Sequence, residues 1–163
     1  MLGRVKPEQL KSDLILPWVI QGIMLATLVA YIIVCIAFGD QLQQPLPEAQ
    51  RVLIRTILYV VAIVIFPMTN LIRHIQLRLN QTMPYSHTMP GVAAKKRYLV
   101  TVIVSMSLIE SVGIFGFVMF ILGDNFNTLY IFSGLSTLGM FLYRPKVDEY
   151  AGIVEALTAQ KYE

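Results

Sequence analysis

Four apolar runs organise this chain: Leu14–Phe38, Val52–Ile72, Tyr98–Leu122 and Phe126–Tyr143. About 20 such residues cross the hydrocarbon core of a bilayer, and the fourth run, at 18, is near the lower limit. Within lipid the backbone has to satisfy its own hydrogen bonds, so each run predicts a helix. A membrane β-barrel would need alternating segments of about ten residues, and Leu58–Phe66 is apolar without alternation. The expectation is an all-α integral membrane four-helix bundle filling residues 1–163 as one domain.

The breaks between runs set the connections. Gly123-Asp124-Asn125 is a tight turn, so spans 3 and 4 form an antiparallel hairpin. Gly39–Arg51 carries Pro45 and Pro47 and predicts an irregular loop. Residues 73–97 form a longer loop. In span 2, Pro67-Met68-Thr69-Asn70 predicts a kink, read either as a plain interfacial bend or as a hinge. After span 4, Val147, Tyr150, Val154 and Leu157 fall on one face, so 146–163 reads as an amphipathic helix on the membrane surface or a partner, or as a frayed terminal helix.

Composition supports this picture. The chain is 56% hydrophobic and 14% charged, against about 25% charged for soluble domains. Of its 13 Lys and Arg, only Arg51 and Arg55 fall on one side of the predicted membrane; Arg4, Lys6, Lys11, Arg73, Arg78, Lys95, Lys96, Arg97, Arg144, Lys146 and Lys161 fall on the other. The positive-inside rule then places both termini and the middle loop in the cytoplasm. Arg55, one turn inside span 2, is expected to snorkel outward. The net charge of +3 is explained by topology, so nucleic acid is not an expected partner. The single Cys35 lies in span 1, excludes an internal disulfide, and reads as a packing residue. The first run is too long and lacks the small-residue cleavage site of a signal peptide, so it reads as a retained span. The chain is taken for a multi-pass protein of a plasma membrane, the bacterial inner membrane in the first instance.

Glu110 is the one acidic residue inside the four runs. A carboxylate at mid-bilayer costs on the order of 3 kcal/mol on insertion scales. Helical spacing puts it on a face with Ile103, Ser107, Gly113, Ile114 and Phe117, whose small members admit a neighbouring helix. The acid is therefore expected to face protein. Ser133, Ser136 and Thr137 of span 4 and Thr27 of span 1 share its depth, whereas no Lys, Arg or His does. Burial without a cation favours a neutral carboxyl hydrogen-bonded to such hydroxyls. Two roles fit: a carboxyl that binds a proton or cation, or an acid that locks helices together.

The segment Ile109-Glu110-Ser111-Val112-Gly113-Ile114-Phe115-Gly116-Phe117-Val118 resembles the ion-binding helix of the proteolipid c subunits of rotary ATPases. The resemblance implies that Glu110 is an ion-carrying carboxylate, with Ser107, Ser133, Ser136, Thr137 and Thr27 as candidate neighbours. It covers about a dozen residues. The glycine-rich partner helix of that family has no counterpart here, because no glycine occurs between Gly39 and Gly91.

Other chemistry is sparse. Met83, His87 and Met89 offer thioether and imidazole ligands suited to Cu(I), or simply belong to a Pro-rich loop. No phosphate loop, zinc spacing, catalytic triad or haem-ligating His pair occurs, so neither an enzyme nor a cofactor is expected. Two functions remain open. The chain is an accessory or structural subunit of a larger membrane complex or homo-oligomer, with lipid and other membrane subunits as partners; or it translocates H⁺ or Na⁺ through Glu110.

Overall fold

The computed structural model describes residues 7–84 and 89–160. It is all-α in these residues: α1 (Pro7–Asp13), α2 (Ile15–Leu42), α3 (Glu48–Thr82), α4 (Pro90–Ile121), α5 (Phe126–Leu142) and α6 (Val147–Gln160). Three helices, the α1–α2 unit, α3 and α4, have the length and apolarity to cross a membrane, and α5 is a shorter apolar helix. At 17 residues α5 spans about 25 Å.

The four apolar runs lie within helices except for Leu14, Leu122 and Tyr143 at their ends, and two helices go well beyond them. α3 continues ten residues past Ile72 and α4 begins eight before Tyr98, so the expected 73–97 loop is largely helix. Pro90 at the first helical turn suits α4, since its missing N–H would be unpaired there anyway. The Arg97 guanidinium donates to the carbonyls of Asn80 (2.9 Å), Met83 (2.8 Å) and Pro84 (3.0 Å), satisfying the otherwise orphaned end of α3. α3 also runs unbroken through Pro67. Nearby, the Thr69 hydroxyl donates to the Ile65 carbonyl and the Tyr143 hydroxyl to that of Phe66.

α4 is the hub. It packs on α2, α3, α5 and α6. Its contact with α5 is close because glycines line it: a Cβ on Gly116 would lie 2.9 Å from Phe132 Cβ, and one on Gly139 would lie 2.7 Å from Ile109 Cγ2. The outer surfaces of α2 and α3 are apolar and exposed, from Ile15 and Trp18 through Ile33, Leu53, Ile63 and Leu71. Such a continuous apolar belt is what contact with lipid requires.

α1, the end of α3, the start of α4 and α6 gather at one end, where Tyr150 of α6 donates to Asp13 of α1 at 2.8 Å. α6 therefore buries Tyr150, Ile153, Val154 and Leu157 against the chain itself, while Val147 stays exposed. Lys161–Glu163, the end of the expected amphipathic segment, lie outside the described residues. At the opposite end the α2–α3 connection runs along the end of α4, with Gln44 and Leu46 donating to the Ile121 and Leu122 carbonyls. Gly123, at φ +88°, makes the turn beside Pro45, where a Cβ would be 2.7 Å from the Pro45 Cα.

Candidate functional site

With about 100° of rotation per residue, α4 divides into sectors. Ile109, Val112 and Gly116 are buried and face α5. Gly113 and Phe117 turn toward α2: Leu28 fills the space a Gly113 side chain would take, and the Phe117 ring stacks on Tyr31 at 5.1 Å. The α3 side is marked by Asn80, whose amide donates to the Thr101 hydroxyl at 2.9 Å. What remains is a stripe covered by no other helix among the described residues: Val100, Ile103, Ser107, Ile114 and Val118, all exposed.

Glu110 lies half-buried on the edge of this stripe nearest α2. Ile103, Ser107 and Ile114 do share its face, but that face is open, whereas Gly113 is closed by α2. Within the chain, then, the acid borders the outer surface rather than the helix interface that the small residues suggested. Tyr31, partly buried on α2, is within electrostatic reach of it. Among the described residues no hydrogen bond or ion pair ends on the Glu110 carboxyl.

None of the candidate hydroxyls is bonded to the acid, and those of α5 lie on another side of α4. Ser136 donates to the Ile109 carbonyl at 2.8 Å, from the α5 side of α4. Thr137 donates to Ser133 O and Thr27 to Ile23 O, each within its own helix. Ser133 is buried in α5, and Ser107 is exposed on the stripe. The physical reason is rotational. Depth along the axis is shared, but α5 approaches the face of Ile109, roughly 100° round from Glu110.

Met83 and Met89 sit at the facing ends of α3 and α4, both exposed. His87 lies outside the described residues, so the copper candidate has no described geometry. Among the described residues no group of three or more His, Cys, Asp or Glu could hold a metal ion.

Three polar clusters escaped the sequence reading. At the end carrying the termini, Arg73 is buried, with its Nη2 2.6 Å from Glu149 Oε2 and donating also to the Arg144 carbonyl. Tyr98 donates to the same carboxylate at 3.1 Å and accepts from the Lys146 N–H at 2.8 Å. Tyr150 is buried beside it, and its hydroxyl is pushed above its ordinary value, first by burial and then by the hydrogen bond to Asp13. At the other end Arg55 does not simply snorkel: it pairs with buried Asp124 at 3.2 Å, while Arg51 donates to Gly123 O. Within the apolar layer, buried Gln21 donates to the Met140 carbonyl at 3.3 Å and leaves its Oε1 without a partner. A signal existed for each, since Gln21 is a polar interruption of span 1, Arg73 directly follows span 2 and Arg55 lies one turn inside it. The partners of Arg73 and Asp124 are more than 65 positions away in sequence, so spacing alone could not pair them.

Compared with protein-family models, with curated proteins and with solved structures, the chain matches none.

Proposed function

We propose that this chain is a subunit of a membrane assembly, either an accessory subunit beside different chains or one copy in a homo-oligomer, and that the open stripe of α4 is where the next helix packs. The carrying observation is Glu110: a carboxyl midway along an apolar helix, half-buried, with no hydrogen-bond partner among the described residues. An acid left so in hydrocarbon is costly. A helix laid over the stripe would cover it, and interhelical hydrogen bonds in membranes supply about 0.6–2 kcal/mol. Ser107 beside it is small enough to admit close approach. By the distribution of Lys and Arg, the end bearing α1 and α6 is cytoplasmic.

The same observation leaves a second reading, in which the half-buried carboxyl exchanges H⁺ or Na⁺ with a partner. Two substitutions separate them. Glu110→Leu removes hydrogen bonding and is expected to weaken association about tenfold, read as particle mass in mild detergent by light scattering. Glu110→Gln keeps a hydrogen-bonding group but cannot ionise, so the assembly role predicts unchanged mass and no change in ion flux in reconstituted vesicles. Loss of flux in Glu110→Gln at unchanged mass establishes the transport reading. A monomeric particle for the unsubstituted chain overturns the assembly reading.

A further inference from the structure

We infer that the foot of the open stripe, where α3 ends and α4 begins, binds the phosphate headgroup of an anionic phospholipid. A cavity of about 330 Å³ lies there, lined by Gln76, Asn80, Lys96, Arg97, Val100 and Thr101. Two of these are cationic and none is acidic, so the cavity favours an anion. It sits at the boundary where the charge-free run Tyr98–Leu122, apart from Glu110, gives way to Lys95-Lys96-Arg97. Basic pockets between membrane helices at this level suit anionic headgroups.

The two cations differ in mobility. Arg97 is fixed by its three bonds to the end of α3, so its charge is held at the cavity without further ordering. Lys96 is exposed and makes no ion pair among the described residues. Asn80 and Thr101 are already bonded to each other and to the Arg97 carbonyl. A phosphodiester in the cavity would meet the Lys96 ammonium and the Arg97 guanidinium. Above the cavity, exposed Val100 and Ile103 continue up the stripe as an apolar track for an acyl chain.

The test uses the full chain in nonionic detergent, with bound lipid counted by native mass spectrometry during titration with dioleoyl phosphatidylglycerol or dioleoyl phosphatidylcholine. Phosphatidylglycerol is expected to bind about fivefold more tightly, the effect of one Lys or Arg beside an anionic headgroup. Lys96→Gln should reduce that preference to about twofold or less, with Arg97 still in place, and Lys11→Gln, in α1 and away from the cavity, should keep it in full. Equal binding of the two dioleoyl lipids, or a preference that Lys96→Gln leaves unchanged, overturns the proposal. So does binding of soluble glycerol 3-phosphate as tight as that of the lipid, because the cavity would then be a site for a free phosphate ester.

Discussion

Arg73 of α3 and Glu149 of α6 hold the C-terminal helix to the body of the protein. Their nitrogen and oxygen lie 2.6 Å apart, and the arginine side chain is only 5% exposed. Tyr98 of α4 donates to the same carboxylate, so three helices meet on one acid. A charge this deep is tolerated because Nε and Nη2 are bonded to the Glu149 carboxylate and Nη2 to the Arg144 carbonyl, while Nη1 has no partner among the described residues.

Glu149→Ala should therefore cost about 3 kcal/mol, the usual penalty for leaving one member of a buried pair behind. The double variant Arg73→Met, Glu149→Leu should recover most of the loss. Denaturant titration in detergent, followed by circular dichroism, measures both. A single variant within about 0.5 kcal/mol of the parent would show that the pair does not hold α6.

Alkaline pH should loosen the same end. The Tyr150 hydroxyl has its affinity for the proton raised from the ordinary 10.0, by burial and by Asp13. The folded chain thus holds this proton more tightly than the unfolded chain. The corresponding stability is fully present below about pH 10 and falls as pH rises beyond it. Melting temperatures between pH 9 and 11 should drop less steeply in Tyr150→Phe, and an identical slope would remove Tyr150 as the source.

Glycines of α4 and α5 should differ sharply in tolerance. At Gly116 a new Cβ meets Phe132 Cβ and the Leu129 backbone, which cannot move aside without separating the helices. Gly116→Ala should lose about 1–3 kcal/mol. Gly134 has open space where a Cβ would go, so Gly134→Ala should be neutral or gain up to about 1 kcal/mol from helix propensity. Comparable destabilisation by both would mean that α4 and α5 pack differently.

Glu110→Gln should leave the fold of the single chain unchanged within about 0.5 kcal/mol, since no described group bonds to the carboxyl. A much larger loss of stability would place a partner for it inside the chain.

The sequence marked the helices in lipid more clearly than those beyond it. Hydropathy located Leu14–Phe38, Val52–Ile72, Tyr98–Leu122 and Phe126–Tyr143, because apolar length is the requirement there. It stopped at Ile72 because Arg73–Thr82 is amphipathic; that segment stays helical through tertiary support from Arg97 and α6. Glu110 was visible as the single acid in an apolar run. Its direction was not, since a helical face can be read from spacing whereas the helix that covers it cannot. Gly113 and Ser107 looked equivalent as small neighbours of the acid. Leu28 covers the first and no helix covers the second.

The position of α4 at the hub also bears on how the chain is made. α2 and α3 leave the ribosome first, yet both find their main packing surface on α4. Each must wait in the bilayer as a separately inserted helix until α4 arrives. Synthesis arrested before Pro90 would yield two helices with no template to join them, a natural target for membrane proteases.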